Sequence, residues 1–354
     1  GRCGKMRIRA LFIRINKQMI RDRRTLALLL LAPLFVLTLM HFIFAGDAVV
    51  PRLGTVGVAD NLVTELEQSD IEVITYDQAD KDTVIEDDLD GLLIVTDEST
   101  SLILENSDPS IAQTLKMKIY VVTSSHLLAS VSSQLGMEID NTNVSEEYVY
   151  GSENTNLFDT ISPIMIGLFV FFFVFLIAGI GLLRERMTGT LERLMSTPVQ
   201  RVEVVLGYLF GYGVFAILQT LVIIFFSVQI LGITMVGSIW LVILTNTIVA
   251  LVALSLGILL STFANSEFQM MQFIPIVIIP QIFFSGIFSI EGMASWLQIF
   301  GKCMPMYYAA DALKGVMYKG YNLEEIALDL LILCGFAATF ILLNVFALKK
   351  YRRL

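Results

Sequence analysis

The chain has 354 residues and a formal net charge of −9, with 55% of its residues hydrophobic and only 16% charged. Soluble domains carry about a quarter charged residues, so this composition indicates a membrane protein and excludes an ordinary soluble enzyme. Cys3, Cys303 and Cys334 have no disulfide or metal spacing, and His41 and His126 lie far apart, so free thiols and no metal site are expected.

Residues 1–24 are expected to form a cytoplasmic amphipathic helix. Ile8, Leu11, Phe12, Ile15 and Met19 recur at helical spacing, with Arg7, Arg9, Arg14, Lys17 and Arg21 around the other side. Such a helix lies in the headgroup layer, with Arg14, Lys17 and Arg21 at the membrane interface. The same pattern also allows a helix packed on protein. Residues 25–45 then form the first transmembrane segment, around the uncharged run Leu26–Phe44.

Residues 46–160 change character. Between Gly46 and Thr160 there are 23 acidic and four basic residues, which makes this segment water-facing. The stretches "LGTVGVAD", "IEVITY", "GLLIVTD" and "TSLILEN" read as strands, the last two as a hairpin. "NLVTELEQ" and "DQADKDTVIEDD" read as intervening helices, and a long helix follows Pro109. The order β-α-β-α-β-β-α predicts a small α/β domain. The sequon Asn143–Ser145 matters only in a eukaryotic secretory setting.

Residues 161–348 hold five further apolar runs, Ile161–Leu183, Val204–Leu231, Ser238–Phe263, Gln272–Ile290 and Ile326–Leu348. The predicted fold class is therefore membrane α-helical: six transmembrane helices, with an extracellular α/β domain inserted between helices 1 and 2. A re-entrant outer segment is expected at about 285–325, too interrupted for a span and too apolar for a free loop. Residues 349–354 form a cytoplasmic tail. Nine Lys or Arg precede the first span and the tail reads "LKKYRRL", so the positive-inside rule puts both termini in the cytoplasm and the acidic domain outside.

No phosphate loop of the GxxxxGK[ST] type, no HExxH and no GxSxG occurs in the chain. Catalytic residues, a metal and a bound cofactor are accordingly not expected, and neither is nucleic acid as a partner. The predicted spans two to five hold no ionisable residue in their interiors, which argues against ion-coupled transport. Uphill movement of a substrate would then draw its energy from another polypeptide.

One charged stretch interrupts this apolar core. "RERMTGTLERLMSTPVQRVEVV", residues 184–205, carries four arginines and three glutamates between two spans. Its middle, "TLERLMS", reads as a short amphipathic helix with Leu191, Leu194 and Met195 on one side. By itself it fits a solvated inner loop or a docking element.

The stretch resembles the inner loop of type 2 ABC exporter permeases, roughly ER-x-x-GTLE-x-L-x-x-T-P. Glu185, Arg186, Gly189, Thr190, Leu191, Glu192, Leu194, Thr197, Pro198 and the later Gly207 match. Tyr208 stands where that family usually has lysine. "RDRRTLALLLLAPLF" resembles its first-span entrance through Arg21, Asp22 and Pro33. "PQIFFSGIFSIEGMASWLQIFGKCMPMYYAADALKGV" resembles its fifth-span signature through Ser285, Gly286, Met293, Trp296, Leu297, Pro305 and Tyr308. Prolines common within that signature are replaced, at Ser289 and at Ala294 or Ser295.

The resemblance implies a permease subunit in the bacterial plasma membrane, paired with an identical or paralogous second permease subunit and surrounded by membrane lipid. It also implies a separate ABC ATPase subunit that carries ATP and Mg. The inner loop, about 184–203, would be the coupling helix, with Glu185, Arg186, Gly189, Thr190, Leu191, Glu192, Arg193, Leu194 and Pro198 as its residues. Phe169, Phe172, Phe173, Gln281, Phe284 and Ser285 would line the path of an amphipathic or hydrophobic substrate, a drug, antimicrobial or lipid moved outward. The alternative that the residues leave open is a membrane receptor or scaffold sensing ligand through its acidic domain.

Overall fold

The computed structural model describes residues 2–44, 50–96, 100–105, 109–135, 150, 157–288, 290 and 293–348. The sequon, Ser289 and the tail 349–354 lie outside them, as does the side chain of His126. The chain divides into two units, one of residues 1–45 with 148–354 and one of residues 46–147.

In the smaller unit, β1 (Arg52–Val56), α3 (Asp60–Gln68), β2 (Glu72–Tyr76), α4 (Lys81–Glu86), β3 (Gly91–Val95), β4 (Thr100–Leu104) and α5 (Pro109–Leu135) follow in order. The four strands form one sheet in the order β2-β1-β3-β4. β1 runs parallel to β2 and to β3, and β4 returns antiparallel to β3 with Gly91 opposite Leu104. Strand alternation sends neighbouring leucines to opposite faces. Leu93 joins Leu53, Leu66, Leu115 and Ile119 on one side, whereas Leu92 joins Val84 and Leu89 on the other. Asp80 starts α4, its carboxylate accepting from the Thr83 backbone N–H at 3.1 Å.

The larger unit is helical. It begins with α1 (Arg2–Arg21) and α2 (Arg23–Phe44), and resumes after the smaller unit with α6 (Leu157–Met187). Then come α7 (Thr190–Met195), α8 (Arg201–Gln229), α9 (Ile239–Ser261) and α10 (Glu267–Phe283). Two short helices, α11 (Ser295–Gly301) and α12 (Pro305–Lys314), a π-helical turn at Gly315–Lys319, and α13 (Leu323–Ala347) complete it. Among the described residues, five helices, α2, α6, α8, α9 and α13, are long and apolar enough to cross a membrane. One continuous core runs through them, with α6 at its centre.

The structure bears on three sequence expectations here. The apolar run expected at Gln272–Ile290 is a 17-residue helix that begins at Glu267 and ends at Phe283. At its start, the Ser266 hydroxyl accepts from the Gln269 N–H at 3.1 Å. Just past its end, Gly286 turns the chain at φ +84°. At 1.5 Å per residue it is about 25 Å long, short of a hydrocarbon core of roughly 30 Å. The segment after it folds as α11 and α12, and Gln281 joins it to α10 by accepting from the Met306 N–H at 3.0 Å.

The third concerns α1. Its apolar face lies on protein: Leu11, Ile15 and Met19 are buried, and they pack on α8. Gly207 and Gly211 make this approach possible, because a Cβ at either would stand 2.8 Å from the Cβ of Leu11 or Ile15. Arg14, expected at the membrane interface, reaches a protein carboxylate. Lys17 and Arg21 remain exposed.

Candidate functional site: the α6–α8 turn

α6, α8, α9 and α10 meet at one end of the bundle, and the stretch 184–205 ties that end together. Helix termini leave carbonyl and N–H groups without intrahelical partners, and the charged side chains here serve several of them. The Arg186 guanidinium donates to the carbonyls of Ser261 and Ala264, the latter at 2.8 Å, closing the end of α9. A cation at a helix C-terminus also complements the macrodipole. Arg184 pairs with Glu267 at 3.0 Å, in the first turn of α10, and lies 3.9 Å from Asp22. Both Arg184 pairs are exposed, so each contributes at most about 1 kcal/mol.

Glu185 is different, since its side chain is only 3% exposed. Arg14 of α1 donates to its Oε2 at 2.6 Å, and the Tyr208 hydroxyl of α8 donates to the same oxygen. Oε1 has no partner among the described residues. A buried carboxylate that loses a partner costs several kcal/mol, so these two donors hold Glu185 in its buried place. A second link of the same kind joins Arg7 to Glu203 at 3.5 Å, while Glu203 also accepts from the Gln200 N–H at 2.9 Å to start α8.

Between these anchors lies α7. Gly189 precedes it in the left-handed region at φ +69°, with open space where a side chain would go. Thr190 opens the helix, its hydroxyl 2.9 Å from that of Thr188. Leu191 and Met195 are buried in the helical core and Leu194 packs against its edge. Glu192, Arg193 and Pro198 face outward. α7 is therefore a six-residue helix held along one side and bare along the other.

At the bend between α1 and α2, Asp22 accepts from the Thr25 hydroxyl at 2.6 Å and from its N–H at 3.2 Å. The Thr25 hydroxyl, then its N–H, and to a lesser degree Arg184 hold the Asp22 carboxyl below the usual carboxylate range.

The residues expected along a substrate path are placed as follows. Phe173 is buried in the core, and Phe169 and Phe172 are half-buried against it. Gln281 is engaged at both ends of its amide, by the Met306 N–H and by Met304 Sδ at 3.1 Å. Phe284 packs edge-on to Phe300 with ring centroids 5.6 Å apart. Ser285 lines a cavity of about 650 Å³ with Lys302, Tyr307 and Lys314. No group of three metal-ligating side chains occurs among the described residues.

Arg14, Tyr208 and Arg184 carry the geometry of this end, yet nothing in their immediate sequence marks their partners. The G-Y-L-F-G spacing at 207–211 does signal close helix packing, and with it the seat of α1.

Long apolar helices gathered around one core, with their ends tied by charged loops, define a multi-pass helical membrane protein. The family profile of the ABC-2 family transporter proteins matches residues 23–346, and the chain belongs to that family. ABC transporter G family member 20 of Dictyostelium discoideum is 26% identical over 205 residues, 57% of this chain and 28% of that protein. The probable multidrug ABC transporter permease YbhS of Escherichia coli (strain K12) is 31% identical over 173 residues, 48% of this chain and 45% of the relative. The inner membrane transport permease YhhJ of the same bacterium is 25% identical over 176 residues, covering 49% and 47%. The chain thus matches less than half the length of these relatives.

Proposed function

We propose that the chain is the membrane-embedded subunit of an ATP-driven exporter, moving an amphipathic or hydrophobic substrate outward with energy from a separate ABC ATPase. The observation that carries this reading is the arrangement of α7. Its inner side is set in the core by Leu191 and Met195, and its outer side offers Glu192 and Arg193 to a partner. A helix fixed in this way moves as one body with α6 and α8, so a push on α7 reaches the bundle. Glu185, Arg186, Gly189 and Thr190 hold the helix in place, Leu191 and Leu194 seat it, and Pro198 ends the turn.

In this reading α10 provides a sixth crossing, both termini and α7 are cytoplasmic, and the α/β unit is extracellular. The permease pairs with an identical or paralogous second subunit in a bacterial plasma membrane. The relatives' description as multidrug permeases supports drug-like substrates, and the aromatic residues of α6 together with Phe284 and Ser285 suit such a path.

The test is co-purification with the ATPase subunit and substrate-stimulated ATP hydrolysis in the reconstituted complex. Replacing Glu192 and Arg193 together by Ala leaves thermal unfolding unchanged, because both are exposed, but lowers stimulated hydrolysis at least tenfold. Unchanged binding, hydrolysis and transport in that variant would refute the proposal.

A further inference from the structure

The bend between α1 and α2 encloses a cleft of about 280 Å³ that ATPase coupling does not use. Two guanidinium groups stand at its mouth. Arg24 is exposed and has no ion pair among the described residues, and Arg184 stands on the facing wall. Asp22, the one acid in the lining, accepts from Thr25 and lies 3.9 Å from Arg184, which also pairs with Glu267, so Arg24 is the cation at the rim without an acidic partner among the described residues.

The floor is apolar, formed by Leu28 of α2 and by Leu176, Ile177 and Ile180 of α6. From Arg184 down to Leu176 is eight residues of helix, a drop of about 12 Å. Both walls are helices suited to crossing a membrane, so the cleft runs from an interfacial rim bearing Arg24 and Arg184 into the hydrocarbon layer. A free anion would use only the rim and an apolar molecule only the floor. A phospholipid uses both.

We propose that this cleft binds an anionic phospholipid, its phosphate held by Arg24 and Arg184 and one acyl chain laid against Leu28, Leu176, Ile177 and Ile180. A guanidinium has five donors, so Arg184 holds Glu267 and a phosphate together. The bound lipid then fastens the α1–α2 bend to the start of α10. The inference rests on α2 and α6 lying in a bilayer and not on the ATPase partnership, so either idea can fail without the other.

The experiment is native mass spectrometry of the full chain in detergent, supplied with phosphatidylglycerol or phosphatidylcholine at equal concentration. One phosphatidylglycerol is retained in preference. Arg24→Glu lowers that retention about fivefold or more, since each cation at a membrane surface is worth about 1 kcal/mol. Arg9→Glu makes the same charge change on α1 away from the cleft and leaves retention unchanged. Ile180→Trp fills the floor and abolishes retention; should it unfold the protein, Leu28→Trp on the exposed wall puts the same question.

Equal retention of the two lipids would overturn the proposal, as would an equal loss in Arg9→Glu, which signals diffuse attraction. Undiminished retention in the tryptophan variant would remove the acyl chain from the cleft. Displacement by glycerol phosphate at the lipid's own concentration would reduce the site to a simple anion site.

Discussion

Glu185 shows how one buried charge organises the residues around it. Two donors from two different helices converge on its Oε2, and each is hard to replace. Tyr208→Phe removes one donor without changing the ring volume, which leaves a buried carboxylate short of a hydrogen bond at a cost of about 1–3 kcal/mol. The thermal midpoint of the purified protein should fall accordingly. Tyr208→Lys, by contrast, supplies an ammonium that can pair with the same carboxylate, so it should lose less stability than the phenylalanine variant. A larger loss for lysine than for phenylalanine would mean that ring packing, with Tyr212 stacked at 6.2 Å, matters more than the donor.

At the scale of elements, the question is what holds α1. Its charges reach Glu185 and Glu203, but its seat is steric, because Leu11 and Ile15 lie over Gly207 and Gly211. Gly211→Leu forces a side chain into a space already occupied by Ile15, with an overpacking cost of about 1–3 kcal/mol. The expected outcome is release of α1 before the bundle unfolds, seen as faster proteolysis between Arg7 and Arg21 while the melting of the remaining helices is little changed. The bare side of α7 has no such neighbours, so substitutions at Glu192 and Arg193 should leave this assay unaltered. Packing thus separates residues that hold this end of the bundle together from those that face outward.

For the whole molecule, five helices among the described residues have the length and apolarity to cross a bilayer, and α10, fifth of the apolar helices in chain order, brings their number to six. If α10 crosses, the turn at α7 and the turn between α11 and α12 lie on opposite sides of the membrane. Cys303 is exposed in the second of these turns, and Ser196→Cys places a thiol in the first. In a chain with Cys3 and Cys334 replaced by Ser, a membrane-impermeant maleimide should label Cys303 in intact cells. It should label the cysteine at position 196 only after the membrane is opened. Labelling of both from the same side would remove α10 as a crossing.

The long helices were legible because hydrophobic periodicity and run length are local properties: a stretch such as Ile161–Leu183 has to be buried or placed in lipid wherever the rest of the chain goes. The same holds for the strands of the smaller unit, where alternation separates Leu92 from Leu93, and for α7, whose Leu191–Met195 spacing marks a helix with one buried edge. The end of α10 was less legible, since the apolar run continues past Phe283 and only the turn at Gly286 and the docking of Gln281 on α12 stop it. Least legible were the partners of the charged residues. Arg14 meets Glu185 across 171 residues and Arg186 meets the carbonyl of Ala264 across 78. Residue types and local spacing determined that this protein is a helical membrane protein with a charged turn between two of its long helices. The tertiary structure alone decided which charges are buried together, because a buried ion pair depends on how helices cross, and that is set by contacts between residues far apart in the chain.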